Sequence, residues 1–180
     1  MKSDSNCLRI PILVFISLWL VSYSRPGFSA MSVEEAYQAI PHQRTVFDKG
    51  AATMNPQERD FLDEFFWLTD MGILVRVEAL KGGNTPEETA ARYQKLEAKF
   101  QDLKVPGPLR KVYDLVEGAV KDQRDFLALS PRPDFHNHRL IQSASGKLHQ
   151  AYSELMKLYP KEGQNNKQAF YDYLCALDFV

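Results

Sequence analysis

Three of the chain's four histidines fall within FHNHRLIQSASGKLH, residues 135–149. Read as part of a helix from about Asp134 to Tyr159, His138, Gln142, Ser145 and His149 follow at spacings of four, three and four and share one side. Beside them runs the apolar stripe Ile141, Ala144, Leu148, Ala151, Tyr152, Leu155 and Tyr159. Two imidazoles, an amide and a hydroxyl in a row could line a cleft and hold a ligand. The flank of any amphipathic helix also carries such a seam, and His136 points away from it.

Metal binding by this helix alone is limited by distance. His138 and His149 lie about 16 Å apart along the axis at 1.5 Å per residue, whereas a Zn–N bond is about 2 Å, so they cannot share an ion. Asp134 and His138, four residues apart, could supply two ligands, with the others from elsewhere; there is no HExxH and no Glu-x-x-His pair. Haem between Met71 and His149 is the other cofactor reading, without covalent attachment because CxxCH is missing. Met71 and His149 would sit roughly a turn and a half out of level in a simple antiparallel register.

Nucleophilic chemistry finds less. Ser145 and His149 are an i, i+4 pair with no orienting acid or oxyanion donors, and SASGK is neither GxSxG nor SxxK. No glycine-rich phosphate loop occurs, and Cys175, among aromatic residues, reads as a buried thiol. The expectation is no catalytic residue and no cofactor, with haem or a divalent metal as the alternative.

A second group stands in IPHQRTVFD, residues 40–48, where His42, Gln43, Arg44 and Asp48 alternate with Ile40, Val46 and Phe47 without helical periodicity. Such a segment is either an ordered strap over the following helix or a lid contributing His42 and Arg44 to a pocket. Arg76 lies on the expected core side of that helix, where a guanidinium must find a carboxylate or carbonyls, as an ion-pair member or in an anion pocket.

The elements that must position these groups are helices. NPQE places Asn55 as cap, Pro56 first and Glu58 for a capping box, opening a helix that runs to Lys81 before Gly82 and Gly83. Apolar residues from Phe61 to Leu80 surround it, so it should be the most buried. Thr85, Pro86 and Glu88 repeat the device for a second helix that ends at VPGP. A third follows Pro106, Gly107 and Pro108, with Val112 to Leu127 as its apolar face before SPRP, a fourth runs from about Asp134 to Tyr159, and KQAFYDYLCALDFV forms a C-terminal helix packing across the others. SVEEAYQAI adds a short N-terminal one. Short connections favour antiparallel neighbours, so the expected fold is all-α: an up-down-up-down four-helix bundle with short N-terminal and C-terminal extra helices.

The chain opens with a region carrying Lys2 and Arg9, an apolar run from Ile10 to Val21 and small residues thereafter, which reads as an export signal over residues 1–30. Retention as a membrane anchor is the alternative, although the run is short of the roughly 20 residues of a spanning helix. A cleavage point between Arg25 and Met31 fits best. Residues 31–180 are then one domain, exported to a periplasm or secreted, with no transmembrane segment after cleavage.

Of 22 basic and 23 acidic residues, Lys2, Arg9, Arg25 and Asp4 lie in the signal, so 19 face 22 in the remainder, a formal charge of −3. That balance argues against a nucleic-acid surface. Only Cys175 of the two cysteines remains, so no intramolecular disulfide is available. The function these features suggest is a non-enzymatic exported bundle that binds a small molecule or a protein partner. Its ligand would be a small anionic or metal-containing species, and its site residues His42, Arg44, Arg76, His138, Gln142, Ser145 and His149. A cytochrome-like bundle, or an interaction module of a cell-envelope assembly, are the alternatives.

Overall fold

The computed structural model describes residues 31–131, 133–135 and 137–178; the expected export signal and His136 lie outside them. Among the described residues the chain is all-helical, with six α-helices and no strand. Helix α1 spans Val33–Gln38 and is opened by a capping box: the Ser32 N–H donates to Glu35 Oε2 at 2.7 Å and the Glu35 N–H to Ser32 Oγ at 3.2 Å. Helix α2, Pro56–Leu80, is capped by Asn55, which accepts the Glu58 N–H at 2.9 Å; of the expected box only this arm forms. Its exit needs Gly82 at φ +73°, from which the Gly82 N–H reaches Ala79 O and the Gly83 N–H reaches Glu78 O, satisfying the last carbonyls.

Helix α3, Pro86–Gln101, starts with the complete Thr85/Glu88 box. A 3₁₀ turn, Gly107–Leu109, leads into α4, Arg110–Leu127. Helix α5 spans Arg139–Leu158, five residues shorter at its start than the periodicity suggested. Asp134 instead takes the Asn137 side-chain amide at 2.6 Å. His138 then becomes the N-cap, its Nδ1 accepting the Leu140 N–H at 3.3 Å. Asp134 and His138 therefore do not form the i, i+4 helical pair that a two-ligand metal reading required.

Helix α6, Gln164–Asp178, does not pack across the others but runs beside two of them. Against α5 it is antiparallel: Tyr159 meets Phe170, Tyr152 meets Tyr171, and Ser145 meets Asp178. Against α2 it is parallel, with Phe66 stacked on Tyr173 at 4.5 Å and Arg76 at Leu177. The other side of α2 meets α3 antiparallel, through Phe65 on Phe100 and Arg76 beside Tyr93. With α1 also against it, α2 is enclosed, which is why its apolar residues face all directions. Gly72 sits at the tightest point, where a Cβ would come within 3.0 Å of Leu177 Cδ2 and 3.5 Å of Leu96 Cδ2.

Between α1 and α2 the chain is an ordered strap. Phe47 is buried against Phe66 and Phe170, worth roughly 2–3 kcal/mol by its area. The strap's backbone has no strand to pair with and is satisfied by side chains from α6 and the turn before it. The Thr45 N–H donates to Asp172 at 2.8 Å, the Asp48 N–H to Asn166 at 2.9 Å, and the Thr53 N–H to Glu162 at 2.6 Å. Asn166 returns a bond to Asp48 O at 3.2 Å. Buried backbone groups must find partners, and here each rung is a polar side chain of α6 or of the turn before it.

Candidate functional site

The residues singled out by sequence fall at three places. His42 and Arg44 belong to the strap, where α2 and α6 present a buried carboxylate to each. Arg44 donates to Asp70 at 2.6 Å, and the Tyr37 hydroxyl from α1 donates to the same carboxylate at 3.1 Å. The guanidinium also lies 5.6 Å from the Tyr37 ring and 5.7 Å from the Tyr173 ring, and 3.4 Å from Glu34. His42 Nε2 stands 3.5 Å from Asp172 Oδ1, and Gln168 donates to that same oxygen at 2.8 Å. Burial pushes Asp70 up to about 6 against the opposing pull of Arg44. Tyr37 is raised too, by burial first and by the Asp70 charge second. His42 and Arg44 act as fasteners of a strap; the imidazole is directed inward at Asp172 and the guanidinium at Asp70.

The second place is the C-terminal end of α6. Arg76, 1% exposed, donates to Leu177 O and to Asp178 O, while Gln123 donates to Leu177 O at 2.6 Å. Carbonyls at a helix C-terminus carry partial negative charge and attract a cation. Burial lowers the Arg76 pKa from a very high starting point, so it stays charged. Phe135 covers the guanidinium at 4.8 Å. From outside, Ser145 donates to Asp178 Oδ2 at 3.0 Å and His149 Nε2 lies 3.4 Å from that same oxygen. Arg76 and two members of the α5 seam thus converge on one helix end. This is not a nucleophile–base–acid chain, because Ser145 gives its proton to the carboxylate rather than to His149.

The other two seam residues lie apart. His138 caps α5 and rests on Phe126 at 5.1 Å, and Gln142 is exposed. Met71 is buried in the core on α2, whose packed neighbours are α1, α3 and α6, so the register that would set it opposite His149 is not the one adopted. Cys175 is buried with its thiol pushed up by that burial, which removes the thiolate a nucleophile needs. Among the described residues no three His, Cys, Asp or Glu side chains are grouped to hold a metal ion.

The third place was not found from sequence. A groove of about 800 Å³ opens between α1 and the turn joining α2 to α3, lined by Met31, Glu35, Gln38, Ala39, Glu78, Lys81, Gly83, Asn84 and Arg92. Its floor is the Arg92–Glu78 ion pair, to which Asn84 adds a contact at 3.5 Å. Its rim carries Glu35 and Gln38 on α1 and Lys81 at the end of α2. The two bonds from Ser32 hold the Glu35 carboxyl below its ordinary range, and the Lys81 charge adds to this. No single periodicity connects these residues, because they come from α1, the end of α2, the turn after it and the middle of α3. The only local signals are the SVEE box and the Gly82–Gly83 break, which mark helix ends rather than a site.

Two smaller hollows carry charges already engaged elsewhere: Lys111 with Glu154 and Lys147 with Asp122 beside the start of α4, and Asp60 with Lys49 beside the start of α2. No helix among the described residues is long and apolar enough to cross a membrane. No family model, curated protein or solved structure matches the chain.

Proposed function

We propose that this protein is an exported, non-enzymatic binding protein whose ligand enters the groove between α1 and the α2–α3 turn. In this reading residues 1–30 are an export signal removed near Arg25 to Met31, and residues 31–180 are one domain. Helices α2 to α5 run up, down, up and down, with α1 and α6 as the added elements. One observation carries the assignment of the site. The groove is of ligand size and presents both signs of charge with amides and short apolar groups, the mixture that orients a small polar molecule. Of the residues the sequence suggests, Arg44 ties the strap to α2 through Asp70, the carboxylate that also holds α1, while His42, Arg76, His138, Gln142, Ser145 and His149 lie outside the groove's lining.

The experiment uses protein recovered from the exported fraction. Its mass fixes the amino terminus, expected between Arg25 and Met31. A screen of small polar compounds by thermal shift is then run on wild type and on Ala39→Trp, which places an indole in the groove from an exposed position at the end of α1. Compounds that stabilise wild type should fail to stabilise the variant while the two unliganded proteins melt together. Stabilisation that survives Ala39→Trp would move the site elsewhere, and a chain recovered with residues 1–30 intact would overturn export with cleavage.

A further inference from the structure

The rim of the groove has one carboxylate, Glu35, and one ammonium, Lys81, on opposite walls. Beneath them Glu78 and Arg92 neutralise each other, so the floor favours neither sign. Glu35 is held by its capping box through Oε2, which leaves Oε1 as its open acceptor and fixes where that oxygen stands. Lys81 is exposed at the C-cap of α2, with three N–H donors on a flexible stem. A purely anionic ligand would be drawn to Lys81 and repelled by Glu35, and a cation would meet the reverse. A molecule with both charges satisfies both walls at once, and its uncharged middle would lie along Met31 and Ala39.

We infer that the groove takes a small zwitterion bearing an ammonium and a carboxylate, of free amino acid or dipeptide size, with Glu35 receiving the ammonium and Lys81 the carboxylate. This rests on the groove being the binding site. Because both rim groups are exposed, each contact contributes modestly, so removing one ligand charge should weaken binding about fivefold.

The test is a titration of the exported protein with dialanine, N-acetyl-dialanine and dialanine amide, read from backbone amide chemical shifts of Gln38, Gly82, Gly83 and Asn84. Dialanine should give saturable shifts at these amides, and each blocked form should bind about fivefold more weakly. Lys81→Gln should erase the advantage of the free carboxylate, and Glu35→Gln that of the free ammonium. Glutamine at position 35 can still close the capping box, so a lost fold would not account for the second effect.

Equal binding of the blocked and free dipeptides would overturn the zwitterion while leaving the groove as the site. No shift with any of the three at millimolar concentration would also overturn it. Whether the groove reading falls with it is then decided separately, by whether Ala39→Trp abolishes binding of any compound from the screen.

Discussion

Arg76 offers the sharpest test of how the interior is held together. Substituting methionine keeps most of the side-chain volume and removes the charge, its bonds to Leu177 O and Asp178 O, and its contact with the Phe135 ring. Bonds from a charged donor are worth roughly 1.5–3 kcal/mol each and a desolvated cation–π contact up to about 2 kcal/mol. Against that stands the cost of keeping a guanidinium out of water, several kcal/mol, which methionine does not incur. Leu177 O keeps its bond from Gln123, so one carbonyl, that of Asp178, loses its donor. These terms leave a net loss of about 2 kcal/mol for Arg76→Met. Arg76→Ala should lose about 2 kcal/mol more, through the cavity under Phe135.

Urea unfolding followed by far-UV circular dichroism measures both losses, and hydrogen exchange shows where Arg76→Met acts. Protection should fall first in the last turn of α6. If Arg76→Met proves as stable as wild type or more so, the clamp does not hold α6, and the guanidinium is kept for something other than stability.

Asp70 sets a pH dependence with a definite sign. Its carboxyl titrates near 6 when folded and near 3.8 when free, so the folded chain binds the proton more tightly. Stability from this group is therefore highest below pH 4 and declines as pH rises through 6, by about 3 kcal/mol in all. The stability difference between wild type and Asp70→Asn should therefore fall between pH 4 and 6.5 in urea titrations, and a difference that grows over this interval would contradict it. Phe47→Ala should cost about 3–4 kcal/mol and make residues 41–54 the first site of limited proteolysis, since the strap loses its largest apolar anchor. Gly72→Val should destabilise by about 1–3 kcal/mol, because even a Cβ there already presses on Leu177; an unchanged melting temperature would mean α2 and α6 can part at no cost.

The all-helical fold was legible because caps and periods agreed. Asn55–Pro56, Thr85–Pro86–Glu88 and Gly82–Gly83 set helix ends where the structure has them. The start of α5 differs from the periodic reading because Asp134 is engaged by the Asn137 side chain and His138 serves as the N-cap. The place of α6 could not be read from a stripe, since α6 buries polar residues too. Asn166 and Asp172 look like solvent-facing positions and are the rungs that hold the strap. Arg76 was correctly placed inside, with carbonyls among its possible partners, yet which carbonyls depends on where α6 ends. The groove left no trace because its lining is assembled from α1, the end of α2, the turn after it and the middle of α3, which no single stripe joins.

These fastenings bear on how the groove binds. Its α1 wall is tied to α2 by Tyr37 on Asp70, and the strap's Arg44 joins that same carboxylate to Glu34. The opposite wall is closed by the backbone bonds around Gly82, and the floor by the Glu78–Arg92 pair. Helix α6 in turn is held at both ends, by the strap's rungs at one and by Arg76 and Gln123 at the other. On the proposed reading a ligand would meet walls already in position and would have little ordering of backbone to offset. The freedom left in the groove is that of its exposed side chains, Lys81 and Gln38. On binding, the α1 and α2 backbone should keep its hydrogen-exchange protection within experimental error, while amides around Gly83 shift. A ligand that instead slows exchange throughout α1 would mean the wall is assembled on binding, and the ties through Asp70 would then be too weak to preorganise it.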